Sequence, residues 1–290
     1  MKPLAKDIVP QASWALVHII TKMEIGGAQF ATLDSLSKSA LAFKDRILIT
    51  SPGGLLDTKI QDLHQGHTFF ASCLRKEIHP LMDLLAIFQI AGLLKKYKRE
   101  HPKTKILVHT HCSKAGIIGR LAAFLARTEL IIHTVHGYGY HRYPQRYLRP
   151  FFKFSERLCA QFTDAFSVDA KANKQQGVSD HLFSKAPVKV IYCGVNADAF
   201  GNGPAAKIRE ELNLGPDHHV VIHITNFKEQ KNPKLFIKVA HRLCDLNPQI
   251  RFIVTGEDSL RSECEAYAKA HGFYEHIRFV GWRKDIPQLM

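Results

Sequence analysis

Two textures alternate along this chain, and their alternation limits the fold more than any single motif. Apolar runs of strand length lie at 14–20, 46–50, 68–71, 106–109 and 130–134. Between them, residues of about 28–40, 54–65, 80–99 and 114–127 show helical periodicity. Strands alternating with helices imply βαβ units and a parallel sheet. A further helix over about 145–162 leads to strands at 165–168 and 188–192. The segment GVNADAFGNGPAA then reads as a linker, rich in Gly and Asn with a Pro. After it the pattern restarts, with strands at 219–225, 251–255 and 277–280 and helices at 233–246 and 259–271. The expected architecture is α/β, with doubly wound parallel-sheet domains over 1–196 and 197–290. A ligand cleft is expected at the carboxyl ends of both sheets.

Composition narrows the partners. With 46% apolar and 23% charged residues among 290, the chain is core-forming rather than disordered. Its longest apolar stretch, 81–94, is interrupted by Asp83 and Gln89 and is shorter than the roughly 20 residues a membrane span needs. The first residues, MKPLAKDIVPQASW, lack the apolar centre of a signal peptide. Six scattered cysteines without a C-x-x-C pair read as reduced thiols of a cytoplasmic protein. The net charge is +14, of which residues 1–196 hold +13 and residues 197–290 only +1. The first domain is therefore expected to meet something anionic, such as nucleic acid, phospholipid headgroups or a phosphorylated substrate.

Several stretches carry chemistry, each with a plain structural alternative. In IGGA, residues 25–28, bare amides at Gly26 and Gly27 suit a ligand phosphate at a helix N-terminus. The same glycines also suit an ordinary tight turn, and the absence of G-x-G-x-x-G speaks against NAD. Ala28, Phe30, Ala31 and Leu33 follow at spacings of one helix face. In HTHCSKAGIIGRLAAFLA, residues 109–126, Ser113 is the expected helix cap and Lys114 opposes the dipole in the first turn. His109 and His111 have the form of a metal pair, but no carboxylate or third histidine stands at a convincing spacing. In HTVHGYGYHRYP, residues 133–144, His136 ends a buried strand and either meets a polar ligand or is structural.

Next, RYPQRYLRPFFKFSERL places Arg142, Arg146, Arg149, Lys153 and Arg157 among aromatic residues. This suits an anionic headgroup layer, or equally a solvated face over a core. No nucleic-acid motif accompanies it. In ITNFKEQKNPKLF, Asn226 and Lys231 sit in a loop that Asn232-Pro233 closes into a helix. Lys231 there suits a diphosphate, though a loop lysine is usually just solvated.

Taken in order, IITKMEIGGAQ, VHTHCSKAGIIGRLAA, HTVHGYGYH, VIYCGVN, ITNFKEQKNP, FIVTGEDSLR and FVGWRKDIPQL resemble glycosyltransferase family 4 from about residue 14 to the last. The bacterial capsule, exopolysaccharide and O-antigen branch is the most similar. This resemblance implies two Rossmann-like domains of the GT-B fold and a retaining transfer of sugar from a nucleotide-sugar. Residues 1–196 would be the acceptor-side domain and 197–290 part of the donor-nucleotide domain. His136 would contact the donor sugar. Gly26 and Gly27 would lie under the diphosphate, with Asn226 (often arginine in the family) and Lys231. Gly256, Glu257, Gly281 and Trp282 would border the nucleotide, and Ser113, Lys114, Gly137 and Tyr138 the acceptor side. The acceptor would be a glycan or polyprenyl-diphosphate-linked sugar at the inner face of the cytoplasmic membrane, with Arg142, Arg146, Arg149 and Lys153 toward the lipid. No cofactor or metal is implied, because positive charge and amides neutralise the leaving diphosphate.

The family pattern also departs here. Three strands of the second sheet are present where the fold has six, and no E-x7-E segment with the family's surrounding residues occurs. The expectation is an incomplete second domain, its first strand (219–225) left at an edge, and impaired activity of the 290-residue chain. A non-catalytic remnant that binds acceptor or membrane is the alternative.

Overall fold

Strand β1, Trp14–Lys22, has six consecutive buried residues, Ala15 to Ile20. Such a run survives only where both faces and both edges of a strand are covered, and the surrounding elements cover all four. The structure, a computed structural model, describes residues 13–39, 42–63, 66–139, 148–195, 197–200 and 205–290. It divides into two units, Met1–Gly194 and Val195–Met290.

In the first unit, β1 is followed by α1 (Gly27–Lys38), β2 (Asp45–Ser51), α2 (Asp57–Leu63) and β3 (His67–Phe70). Then come α3 (Pro80–Glu100), β4 (Lys105–His111), α4 (Ser113–Leu125), β5 (Leu130–Val135), α5 (Leu148–Ala160), β6 (Ala165–Val168), α6 (Lys171–Ser179) and β7 (Val188–Val190). The strands form one sheet in the order β3-β2-β1-β4-β5-β6-β7, and every pairing is parallel. Alternate side chains of β1 feed opposite faces. Val17 and Ile19 join Ile47, Ile49, Ile106 and Val108 under α3 and α4. Ile20 joins Leu48 under Leu33 and Leu36 of α1 and Ile60 of α2. Helices on both faces make this sheet doubly wound, as expected.

Helix α4 lies close on the sheet because it carries glycines where a side chain has no room. A Cβ on Gly116 would stand 2.4 Å from a ring carbon of His133, and one on Gly119 would stand 2.8 Å from a methyl of Thr110. One turn further, Arg120 is completely buried and pairs with Glu156 of α5, while its Nε donates to Gly116 O at 2.8 Å.

The second unit contains α7 (Ala205–Glu211), β8 (His219–Ile224), α8 (Pro233–Leu246), β9 (Ile250–Thr255), α9 (Arg261–Ala270), β10 (Ile277–Gly281) and α10 (Ile286–Leu289). Its three strands run parallel in the order β10-β9-β8. Phe227, Ile237, Ala240, Phe252, Val254 and Ile277 build the larger of its cores. As the strand order implied, β8 stands at an edge among the described residues.

Three local expectations need correction. Phe30 does not lie on the buried face of α1 but is 49% exposed, because the buried stripe passes through Thr32, Leu33 and Leu36. The N-cap of α4 is Cys112 at φ +60, and Ser113 is already inside the helix. Helices α6 and α7 were not anticipated: α6, KANKQQGVS, buries only Gly177, and so small an apolar stripe gives no periodic signal.

Candidate functional site

The strand order of the first unit reverses at β1, with β2 and β3 on one side and β4 to β7 on the other. In parallel α/β sheets, ligands bind outside the carboxyl ends of strands at such a reversal. Here those ends carry the Gly26–Gly27 turn after β1 and Cys112–Ser113 after β4. Gly26 is the N-cap of α1, extended at φ −174, and no side chain caps the helix or adds acidic charge to its first turn. A Cβ built on Gly27 meets nothing within 4 Å. The positive end of the α1 dipole, without a side-chain cap, therefore lies at this turn.

Along the same edge runs a row of imidazoles. Register pairs His18 of β1 with His109 of β4, and two residues on, His111 follows on the same face. His18 Nδ1 lies 2.7 Å from His111 Nε2, and His111 Nδ1 lies 3.1 Å from His136 Nε2. His136 Nδ1 is 3.7 Å from Asp169 Oδ2, and Asp169 Oδ1 accepts from Asn173 at 2.6 Å. His109 turns aside to Thr134 Oγ1 at 2.6 Å. Burial first, and then neighbouring His136, holds the pKa of His109 down to about 3. Burial and surrounding histidines hold His111 well below the usual histidine range. Contact with His136 in turn lowers the Asp169 carboxyl. A neutral His111 has one ring proton, so it donates to one of its two partners and accepts from the other. The row is therefore polar end to end.

The statement that no third histidine accompanies His109 and His111 is thus overturned: nitrogen atoms of His18, His109 and His111 all lie within 4.8 Å of one another. The signal was a histidine inside the buried apolar run LVHII, but only strand register shows which residues stand beside it.

Other candidate residues fall into distinct settings. Gly137 holds φ +126, a conformation that glycine adopts without strain. Tyr138 is not on a ligand-facing surface: it is buried, and its hydroxyl donates to Asn173 O at 2.7 Å. Ser113 Oγ accepts from Gly139 N–H at 2.9 Å, tying the loop after β5 to α4. Lys114 explains its place against the helix dipole by pairing with Asp83 at 2.7 Å. Arg142 and Arg146 lie outside the described residues. Arg149 is exposed, whereas Lys153 is not presented outward but pairs with Asp180 at 2.5 Å. A different surface was missed by reasoning on charge alone. Leu81, Leu84, Leu85 and Phe88 form an exposed row along α3, 43–59% accessible, and Phe151, Phe154 and Leu158 do the same on α5. No helix among the described residues is long and apolar enough to cross a membrane.

In the second unit, the remaining candidates share the carboxyl edge of its sheet. Asn226 follows β8, Gly256 and Glu257 follow β9, and Gly281 and Trp282 end β10. Gly256, at φ +96, donates its N–H to Gly281 O at 2.7 Å. A Cβ there would fall 1.7 Å from Thr225 O, so only glycine fits. Glu257 is paired with Arg261, and Trp282 is exposed. Lys231 is exposed at the end of a short 3-10 turn, Glu229–Lys231. Asn232, left-handed at φ 48, then caps α8 by accepting from Leu235 N–H at 3.4 Å.

Two successive parallel α/β units thus carry their candidate residues at the carboxyl edges of their sheets, a glycine turn and a histidine in one and a lysine loop in the other. The family model for Glycosyltransferase Family 4 matches residues 43–199, and that for Glycosyl transferases group 1 matches residues 205–290. The chain belongs to glycosyltransferase family 4. It is 26% identical over 282 residues to an Escherichia coli UDP-Gal:alpha-D-GlcNAc-diphosphoundecaprenol alpha-1,3-galactosyltransferase, covering 95% of this chain and 70% of that protein. It is 23% identical to the putative glycosyltransferase EpsD of Bacillus subtilis, over 63% of this chain and half of that one. Among solved structures, Anabaena Alr3699/HepE in complex with UDP and glucose superposes with a TM-score of 0.73 at 18% identity, covering 96% of this chain and 71% of that chain. A Rickettsia africae glycosyltransferase gives 0.74 at 16%, covering 96% and 71%. At these identities the structural likeness concerns the fold.

Proposed function

We propose that the protein transfers a sugar, with retention, from a nucleotide-sugar donor to a glycan or polyprenyl-diphosphate-linked acceptor in bacterial surface polysaccharide synthesis. The observation that carries this reading is the carboxyl edge of the first sheet, where the uncapped Gly26–Gly27 turn follows β1 and His136, held by His111 and Asp169, follows β5. UDP in the solved relative and the diphosphoundecaprenol acceptor of the E. coli relative support a UDP-sugar donor and a lipid-linked acceptor.

In this reading Asn226 and Lys231 hold the donor diphosphate, Gly256, Glu257, Gly281 and Trp282 border the nucleotide, and His136 contacts the sugar. Negative charge grows on the diphosphate as the anomeric carbon gains oxocarbenium character. In this reading the Lys231 ammonium stabilises that charge, and no metal is needed for the step. Ser113 and Gly137 shape the acceptor side through the loop they fix.

Turnover of UDP-sugars onto a polyprenyl-diphosphate sugar tests the proposal. His136→Ala and Lys231→Ala are each expected to cost about 2–4 kcal/mol of transition-state stabilisation. Near-normal rates in both variants show that the residues are wrong. Absence of UDP binding sinks the donor assignment.

One observation favours a second reading, an acceptor- or membrane-binding module at the inner membrane face. The apolar rows on α3 and α5 are exposed beside a strongly basic first domain. Binding to anionic vesicles that falls on Leu84→Asp with Phe88→Asp, and on Arg149→Ala, without any turnover, would support that reading alone.

A further inference from the structure

Three neighbouring strands of the first sheet end in three different metal-ligand chemistries. His136 follows β5, Asp169 follows β6 and Cys193 lies three residues after β7, and β5-β6-β7 are consecutive in the sheet. Their ligand atoms, an imidazole nitrogen, a carboxylate oxygen and a thiol sulfur, all lie within 4.8 Å of one another. The side chains of His136 and Asp169 are 10% and 24% exposed, and Cys193 is exposed, so the cluster opens to solvent. Two of the three donors are already aimed. Asn173 holds Oδ1 of Asp169, leaving Oδ2 toward His136. His111 occupies Nε2 of His136, leaving Nδ1 toward Asp169.

We propose that His136 Nδ1, Asp169 and Cys193 form a binding site for a thiophilic divalent cation of the Zn²⁺ class, whose occupation withdraws His136 from the donor. The withdrawal, though not the binding, rests on the assignment of His136 to the donor sugar. Zinc takes nitrogen, oxygen and sulfur ligands together, and three protein ligands leave its fourth position for water. A metal-bound histidine characteristically donates its other ring N–H to a fixed acceptor, and His111 Nδ1 is placed to receive it.

The proton balance closes. Without metal, in the tautomer that turns His136 Nδ1–H toward the Asp169 carboxylate, each imidazole of the row carries its proton on Nδ1, His18 donating to His111 and His111 to His136. With metal on His136 Nδ1, every proton sits on Nε2, and the row runs from His136 through His111 to His18. The three rings keep three protons in both states, so the net release is one proton, from the Cys193 thiol. The cluster His18, His109 and His111 offers no comparable site. Both nitrogens of His111 and Nε2 of His109 are engaged in hydrogen bonds that a cation would have to break.

Cobalt(II) and zinc titrations of the full chain, without donor, test the site. One equivalent is expected to bind, with a thiolate-to-cobalt charge-transfer band. Cys193→Ser, on an exposed irregular segment, should abolish the band. Asn173→Ala, which releases Asp169, should weaken zinc binding about 10- to 100-fold. A wild-type chain without the band, a band that survives Cys193→Ser, or binding lost in His109→Gln but kept in Cys193→Ser each overturns the site. Zinc should also inhibit turnover in the wild type, reversibly with chelator, and not in Cys193→Ser. Equal inhibition of both overturns the withdrawal. Since binding is read without donor, a chain that binds cobalt yet, once freed of metal by chelator, transfers no sugar counts against the transferase reading and supports this site.

Discussion

The apolar strands β1 and β8 open their respective sheets with near-interchangeable sequences, WALVHIITK and HVVIHI, each with a histidine among aliphatic residues. Their settings differ. In β1, hydrogen-bonded to β2 on one side and β4 on the other, six residues in a row are buried. Only β9 pairs with β8 among the described residues, and Val221 and Ile224 are 37% and 45% exposed. His18 is fully buried among other imidazoles, whereas His223 stacks on Phe236 of α8 at 4.1 Å. The difference teaches that apolar composition licenses a strand but its neighbours decide how deeply it is buried. A polar residue in such a strand acquires chemistry only from what the register sets beside it.

That contrast is most open to attack through the ion pairs of the two units. Glu156→Gln leaves the Arg120 guanidinium buried without its counter-charge and should cost the first unit about 3–5 kcal/mol. Lys228→Ala breaks the half-exposed pair with Asp258, 3.4 Å apart, and should cost the second unit at most about 1 kcal/mol. Hydrogen exchange followed peptide by peptide during urea unfolding separates the units. Equal losses would show that the first unit is no more tightly built than the second.

Acid should sharpen the same contrast. Burial keeps His109 near 3, and burial with the charge of Arg120 keeps His133 well below the usual range. Their folded pKa values are depressed, so the unfolded chain binds the extra protons. Their contribution to stability is complete above the unfolded value of about 6.5, and declines as pH falls toward the folded values. Each should remove about 1.4 kcal/mol per pH unit below about 6.5. The first unit should therefore lose stability between pH 6.5 and 5 faster than the second, where burial lowers His223 only in a half-exposed setting. Chelator in the buffer keeps cation binding out of this measurement. A first unit indifferent to pH in that window would mean that these imidazoles are hydrated.

The smallest expected effect is at the edge itself. Val221→Lys should change the stability of the second unit by no more than about 0.5 kcal/mol and should raise solubility, since a charged edge strand resists pairing with other chains. A loss of several kcal/mol, read by denaturant midpoint, would place β8 in a buried setting like that of β1.

Much of this was legible in one dimension. The strand–helix alternation, the glycine turn at Gly26–Gly27 and the helix opened by Asn232-Pro233 are local, and each is encoded in residues close in sequence. Apolar periodicity and turn chemistry act over a few residues, so reading them requires no knowledge of the fold. The row His18, His111, His136 and Asp169 was not legible in this way, because its members lie on or just after four different strands and only the order and register of the sheet make them neighbours. Nor did charge reveal that Lys153 and Lys114 are committed to Asp180 and Asp83, or that Tyr138 is core. The sequence by itself determined which segments become strands and helices and where glycine bends the chain. Tertiary structure alone decided which histidine touches which, since side chains far apart in sequence acquire chemistry only when packing fixes their distance and removes water from between them.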